Sequence, residues 1–515
     1  MKIKILLILL LCTAFFKSDA IQSGRSGNPN PFPVRGFHLD LRIQAIPMPA
    51  LKKLALQLSE GGINTLIMEW EGTYPFKDEP LIPNRYAYSR AEVKSFIAYC
   101  NGIKLDVIPL QQSFGHVEYI LRNTKFKNLR EDQKDYSQVN PIREEAAKKL
   151  FTTLYRDLIS THNSPYIHIG GDETYLLGHG EESKKKIKAV GIGRLYGDYI
   201  KMLCDVVVSL GKKPVLWADI ALKYPEALKG LPKETIFVDW NYGWDINMFG
   251  DHQKLMQSGF EIWGAPAIRS HPDNYFLTQW EKHFKNITDF VPMTRKFGYK
   301  GIIMTSWSTS GLYSTVFEST RDISDLYAIR RVYPISGFNM LIAAFLKGIK
   351  QDEPLDYKSF INDYAKSRYG FDDNASKAFW NAISAVPFEI TQGIPVNTNL
   401  SIQQLLDSTR IAGTVLSKLK PQKNAEEFEH YKLMTDIRIQ YLSYQLIESR
   451  ANADDMKEDS IKSLIQGLEA LKSSSLDKKF ADLNKDVMYP AEIVQEIEYR
   501  NARMNVLLAR LKRIR

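Results

Sequence analysis

Cysteine is scarce in this chain. Only three occur among its 515 residues, and only Cys100 and Cys204 lie beyond the N-terminal segment. Each sits in a helical pattern without CxxC spacing or a histidine cluster, so no thiol-built metal site is expected. Two buried free thiols are the favoured reading, with a single Cys100–Cys204 disulfide as the alternative. HxH and HExxH spacings are missing too. That argues against a metal-dependent hydrolase and leaves His38, His116 and His168 as core or supporting residues. No metal or cofactor is therefore expected. The first strand is not followed by a GxGxxG or GxxxxGK[ST] turn, the usual mark of a nucleotide-binding open sheet. There is no fixed-period repeat and no low-complexity tract. The longest apolar run, Ile5–Leu11 extended weakly through Phe16, falls short of the roughly 20 residues that a membrane-spanning helix needs.

That run has another use. Lys2 and Lys4 precede it, and Ser18-Asp19-Ala20 offers small residues for cleavage. The pattern predicts a signal peptide over residues 1–20, a short leader over 21–34, and a periplasmic or secreted protein. Lipid attachment through Cys12 is the alternative, although Leu11 is a poor small-residue neighbour for it. The net charge is +9; the first 20 residues hold three lysines and one aspartate, so the remainder is near +7. This excess is modest for the length, and no nucleic-acid partner is expected. The basic end Arg510, Lys512, Arg513, Arg515 reads as a helix end whose cations face the negative dipole. The content of 44% hydrophobic and 25% charged residues is that of a soluble globular chain, long enough for one large and one smaller domain.

From Val34 to about Lys347, strand-like and helix-like segments alternate. Strands are expected at Val34–Leu41, Ile63–Trp70, Leu105–Leu110, Tyr166–Gly171, Pro214–Ala218, Ile236–Trp240, Phe260–Ala265 and Gly301–Trp307. Helices are expected at Pro49–Glu60, Arg90–Asn101, Arg143–Thr161, Gly193–Leu210 and Trp280–Phe297. Alternation of this kind implies parallel pairing through crossovers, and eight strands predict an α/β fold, a (β/α)₈ TIM barrel over residues 35–350. Beyond about Gln351 the strands stop. Ala425–Arg450, Ser460–Lys472 and Ala491–Arg515 carry apolar residues at helical spacing, which predicts an α-helical C-terminal domain over 351–515.

The chemistry gathers after the fourth strand. Tyr166-Ile167-His168-Ile169-Gly170-Gly171-Asp172-Glu173 runs from an apolar strand through two glycines into two adjacent carboxylates. In a barrel the C-terminal strand ends form the active face. Adjacent, partly buried carboxylates repel, so one of the two is expected to be hard to ionise, as a general acid requires. The bland alternative, a surface Asp-Glu pair capping the next helix, loses to this placement. Other strand ends supply Glu69-Trp70-Glu71, Trp217 with Asp219, Trp240 with Tyr242, Trp263 and Trp307. Five of the eight tryptophans thus lie at strand ends. Carboxylates with converging aromatics suit a sugar better than a phosphate or a nucleotide.

His168-Ile169-Gly170-Gly171-Asp172-Glu173 resembles the signature of glycoside hydrolase family 20, the β-N-acetylhexosaminidases, and most closely their hexosaminidase D branch. The resemblance runs through Arg35-Gly36-Phe37-His38-Leu39-Asp40-Leu41, Glu69-Trp70-Glu71 and Phe114-Gly115-His116-Val117-Glu118. It continues through Tyr175-Leu176-Leu177-Gly178 and Leu216-Trp217-Ala218-Asp219 to Gly301-Ile302-Ile303-Met304-Thr305-Ser306-Trp307-Ser308. It implies removal of terminal β-linked N-acetylhexosamine from a glycan or glycoconjugate by a retaining, substrate-assisted mechanism. In that mechanism the acetamido oxygen attacks its own anomeric carbon to give an oxazolinium. By resemblance, Asp172 orients the acetamido group and Glu173 is the general acid and base. Tyr242 donates to the acetamido oxygen. Trp217, Trp240 and Trp307 wall the N-acetyl pocket, Arg35 holds sugar hydroxyls, and His116 supports the acid pair. Glu71 and Asp219 are further candidate substrate contacts.

Two departures stand out. The hexosaminidase D branch tends to carry an Arg after Trp307-Ser308, and the wider family often places a Glu there; this chain has Thr309-Ser310-Gly311. The contacts to O4 and O6, which separate N-acetylglucosamine from N-acetylgalactosamine, are therefore unassigned. The small domain that often precedes the barrel has no room between Ala20 and Arg35. Two other functions compete: a barrel that binds N-acetyl sugars without cleaving them, and a conventional glycosidase with Glu69, Glu71 or Asp219 as its nucleophile.

Overall fold

A computed structural model of the protein describes residues 32–308, 339–385, 390–391, 394–472 and 474–514. The expected signal peptide, most of the leader and Thr309-Ser310-Gly311 lie outside the described residues.

Eight parallel strands close on themselves. They are β1 (Val34–Asp40), β2 (Thr65–Glu69), β3 (Asp106–Leu110), β4 (Tyr166–His168), β5 (Lys213–Trp217), β6 (Ile236–Trp240), β7 (Glu261–Ala265) and β9 (Gly301–Ser306), with β9 pairing back to β1. A three-residue strand that the sequence did not suggest, β8 (Ala267–Arg269), adds to the end of β9. β2 and β6 are buried at every residue, as strands covered on both faces must be. Inside the barrel Ile67, Ile108, Val215, Val238, Trp263 and Ile303 form one apolar core. Outside, the surrounding helices press on Leu66, Val107, Ile167, Leu216 and Ile302.

The helices Met48–Gly61, Arg90–Gly102, Glu144–Ile159, Ile192–Ser209 and Trp280–Lys296 lie where the pattern predicted. Glu144–Ile159 shows why: Ala147, Leu150, Phe151, Leu154, Tyr155 and Leu158 recur at helical spacing and are buried. Each such Leu contributes about 1.5–3 kcal/mol by leaving water. A reciprocal Ser89–Glu92 capping box fixes the start of Arg90–Gly102. Cys100 and Cys204 are both buried and free.

Register sets the mouth of the barrel. Asp40 pairs with Glu69, Glu69 with Leu110, and Leu110 with His168, which brings four strand ends to one level. The expectation that β4 runs to Gly171 is corrected. The strand ends at His168, and Gly170 and Gly171, with φ of 74° and 96°, turn the chain out of extended geometry.

The C-terminal region is built from Tyr357–Tyr369, Asp373–Ser384, Ile402–Lys418, Ala425–Ala451, Glu458–Leu471, Ser474–Asn484 and Pro490–Ile514. One two-residue antiparallel pair, Ile390–Thr391 with Ile394–Pro395, departs from the all-helical expectation. The helices dock on the barrel through polar bonds as well as apolar contact. Glu492 accepts from the Ala45 N–H at 2.9 Å, and Asn484 donates to the Tyr275 hydroxyl at 2.9 Å. No helix among the described residues is long and apolar enough to cross a membrane.

Candidate active site

The two glycines after β4 make the site geometrically possible. A Cβ on Gly170 would sit 1.9 Å from Gln112 Oε1, and only glycine adopts its φ without cost. Gly115, in the loop after β3, lets that loop approach: a Cβ there would lie 2.5 Å from the Asp172 carbonyl oxygen. Three non-glycine residues with positive φ, Glu71, His116 and Glu173, follow the ends of β2, β3 and β4. Strained backbone of this kind persists where packing over-determines it, and it aims side chains that a relaxed loop would not.

The result is a cluster of acids around one imidazole. His116 Nε2 lies 3.4 Å from Asp172 Oδ2 and 3.3 Å from Glu173 Oε2. The Tyr175 hydroxyl donates to Glu173 Oε1 at 3.1 Å. Behind them Asp219 accepts from the Glu173 backbone N–H at 3.1 Å and from Trp240 Nε1 at 3.3 Å. Asp172 is buried, while the Glu173 side chain keeps 30% of its exposure. Of the two, Glu173 is the one that can reach a bound molecule.

The electrostatics differ from the sequence-based expectation. Burial works against a charge on Glu173, but the hydrogen bond and charge of His116 outweigh it and hold the carboxyl below its ordinary range. Burial likewise opposes charge on His116, and Asp172 and Glu173 overcome it, raising the imidazole well above its ordinary value. Behind this pair Asp219 is hard to ionise, pushed up to about 7 by burial and then by the charge of Asp172. The His116 cation that keeps Glu173 ionised is invisible in the spacing of Asp172 and Glu173.

This has a measurable consequence. A folded pKa of about 7 against an ordinary 3.8 means that the folded chain binds the Asp219 proton more tightly than the unfolded chain does. Asp219 therefore costs stability as pH rises from about 4 to about 7. Against wild type, Asp219→Asn should gain relative stability across that window, read as urea midpoints. A constant offset between the two proteins would refute the assignment.

The acids share their cavity with an aromatic cluster. This cavity of about 300 Å³ is lined by His116, Asp172, Glu173 and Tyr175 together with Trp240, Tyr242, Trp244, Phe249 and Trp307. Trp240 and Tyr242 lie 5.1 Å apart between ring centres, and Trp240 and Phe249 4.6 Å apart. The Tyr242 hydroxyl accepts from Trp307 Nε1 at 2.6 Å. Burial raises this phenol well above its ordinary value, so it keeps its own proton to donate.

Most of the sequence-predicted residues converge here: Asp172, Glu173, His116, Tyr242, Trp240 and Trp307 all line the cavity. Arg35 does not, and that expectation is corrected. It is the second residue of β1, at the end of the barrel away from the site, where its guanidinium donates to the carbonyls of Gly62 and Phe32. The arginine at the site is Arg42, two residues beyond β1, paired with Asp40 at 3.1 Å, with Glu71 at 3.3 Å and with Glu69. Trp217 is corrected as well. It is fully buried inside the barrel and packs under Trp307 at 5.3 Å, so it backs the wall without lining it. Glu71 and Asp219 sit behind the surface, Glu71 against Arg42 and Asp219 against Glu173 and Trp240. Sequence reasoning also missed Tyr175, Trp244, Phe249, His271 and Lys282 as lining residues. The signal for Arg42 was present: the strand-end rule points to the end of β1, not to its start.

The histidines have separate partners. His38 bonds to Glu69 at 2.9 Å, and His168 Nδ1 accepts from the Gly170 N–H at 3.1 Å. Burial lowers His168 to about 3, so it is a neutral core residue.

Comparison with known proteins finds relatives of this chain. The chain is 28% identical over 304 residues to hexosaminidase D of Homo sapiens, covering 56% of this chain and 63% of that protein. It is 23% identical over 285 residues to the β-hexosaminidase subunit beta of Mus musculus, covering 51% and 50%. The chain thus spans between half and two thirds of these relatives' lengths. Among solved structures, a β-N-acetylhexosaminidase from Bacteroides fragilis superposes with a TM-score of 0.50 at 16% identity, over 65% of this chain and 70% of that one, which shows a shared fold. Residues 32–312 match the glycosyl hydrolase family 20 catalytic domain, more than half of the chain, and the protein belongs to that family.

Proposed function

We propose that this protein is a β-N-acetylhexosaminidase that removes terminal β-linked N-acetylhexosamine with retention, using the substrate's own acetamido oxygen as nucleophile. The observation that carries this reading is that Asp172 and Glu173, paired through His116, line one cavity with the Tyr242–Trp307 hydroxyl–indole bond. A carboxylate on the buried side can hold and polarise an acetamido N–H. A phenol that accepts from an indole and keeps its proton can hold the acetamido oxygen. The partly exposed acid can reach the glycosidic oxygen.

The conventional alternative needs a second carboxylate across the ring. Each candidate for that role has other work. Glu69 is fully buried and bound to His38, Arg42 and Gln112. Glu71 faces Arg42, and burial raises its pKa well above the ordinary value. Asp219 serves the Glu173 backbone and Trp240.

In the resting site His116 holds the charge and Glu173 is ionised. A sugar that covers Glu173 removes its remaining water, which favours the neutral acid. The 3.3 Å contact with His116 Nε2 is the route by which the proton reaches Glu173. The same proposal puts the enzyme outside the cytoplasm, in the periplasm or secreted, on the signal-peptide pattern of Lys2–Ala20; fractionation of the native host tests this.

Hydrolysis of p-nitrophenyl β-N-acetylglucosaminide, its galacto isomer and the plain β-glucoside tests the mechanism. The glucoside has no acetamido group and should be a very poor substrate. Comparable turnover of glucoside and N-acetylglucosaminide would refute the substrate-assisted reading.

A further inference from the structure

The helix Ala425–Ala451 carries buried residues on several faces along most of its length, as befits the central helix of the C-terminal region. Arg438 sits at its middle and is only 9% exposed. A guanidinium in such a place normally has a carboxylate beside it, because an uncompensated buried charge is costly. Arg438 lacks one among the described residues. Burial lowers its pKa to about 10 with no acidic neighbour pulling the other way, and its Nη2 has no hydrogen-bond partner.

Arg438 lines a small cavity, about 30 Å³, where the barrel meets the C-terminal helices. Thr278 and Trp280 reach it from the barrel, Ala382 from Asp373–Ser384, and Thr409 from Ile402–Lys418. Arg438 is the only charged residue among those described around it. The hydroxyls differ in what they can offer. Thr409 and Thr435 already donate to the carbonyls of Leu405 and Tyr431, at 2.7 and 2.9 Å. Thr278 Oγ1 is buried without a partner. Among the described residues, the cavity thus joins a cation without a counter-charge to an unused hydroxyl donor, and donors of this kind suit an anion.

We propose that this cavity is a binding site for a small monovalent anion, chloride, held by the Arg438 guanidinium and the Thr278 hydroxyl and tying the barrel to the C-terminal helices. Charge selects the class. The cavity has room for a solvent-sized atom. Sulfate and phosphate bring a second charge that no other cation lining it offsets among the described residues. Water fits but carries no charge to balance the guanidinium. A formate-sized carboxylate shares the chemistry with chloride, and the experiment separates the two. Its lining shares no residue with the cavity of Asp172 and Glu173, so it stands or falls apart from the proposed activity.

The test is the thermal midpoint of the full chain in sodium gluconate, chloride, bromide and formate at matched ionic strength. Chloride and bromide should raise the midpoint by a few degrees over gluconate, and the rise should saturate as binding does instead of following ionic strength. Arg438→Gln should abolish the difference, and Thr278→Val should weaken the halide response several-fold while leaving it saturable. Equal midpoints in chloride and gluconate would overturn the proposal, as would a saturable response that survives in Arg438→Gln. A response to formate alone would overturn chloride as the occupant. If Arg438→Gln fails to fold, Thr278→Val and bromide soaks of wild-type crystals decide. An anomalous peak against Arg438 supports the site, and no peak there refutes it.

Discussion

Glu173→Gln is expected to slow cleavage of natural disaccharides by about 10²–10⁴-fold, the range that general acid help supplies, while sparing aryl substrates with acidic phenols. The reasoning starts from the leaving group. A sugar alkoxide cannot depart without a proton, whereas a nitrophenolate can. The substituted amide would keep the shape of the side chain and its contact with Tyr175, which in wild type is a 3.1 Å bond to Glu173 Oε1. It could neither hold nor release a proton. The second half of the reaction, in which water attacks the intermediate, also loses its base. Azide needs no deprotonation and should partly restore that step. The informative plot is rate against leaving-group pKa: steep in Glu173→Gln and shallower in wild type. If the mutant loses no more than a few-fold on every substrate, Glu173 is not the acid.

How much of this was legible from residues alone depends on which interactions set each feature. The strands could be read because each is a short apolar run between helical patterns, and β2 and β6 show the full burial that such runs imply. The acids could be read because two glycines follow β4, and Gly170 has no space for a side chain beside Gln112. Arg35 was misassigned because a motif read as a string does not say which end of its strand faces the site. The register of β1 with β2 and β9 does. Trp217 was misassigned for a similar reason: at the end of β5 its ring turns inward beneath Trp307 instead of upward into the cavity. The charge states were out of reach. They depend on His116, brought from a loop 56 residues upstream of Asp172, and on Asp219, 46 residues downstream of Glu173.

The C-terminal helices illustrate the opposite case. Their apolar periodicity announced helices but not their use. Glu427 gathers Tyr369 at 2.8 Å, Asn339 at 2.7 Å and Arg368, a polar knot made from three separate helices. No local pattern marks such a residue, since a glutamate in the first turn of a helix also suits the dipole alone. Arg438 is the same kind of residue with its counter-charge missing from the described chain. A helix that is buried on several faces has no amphipathic stripe from which to read a lone buried cation.

Asp172→Asn is expected to cost about 10²–10³-fold, the scale of losing one well-placed group that stabilises transition-state charge, and the loss should be independent of the leaving group. Asparagine keeps the shape and can still hydrogen-bond to the acetamide. It lacks the negative charge that favours the cationic oxazolinium, and that charge is needed whichever group departs. A second readout comes from the neighbours. His116 is held above its ordinary value by Asp172 first among its charged partners, and Asp219 is raised by the same charge after burial. Removing the charge should lower both, so the pH dependence of the mutant should shift even where its rate is small. Measured by NMR titration of the His116 ring, an unshifted imidazole would mean that Asp172 does not carry the charge assigned to it. The double mutant with Glu173→Gln should lose less than the product of the single losses, because both acids act on one transition state. A steep dependence on leaving-group pKa in Asp172→Asn, with a flat one in Glu173→Gln, would exchange the two roles.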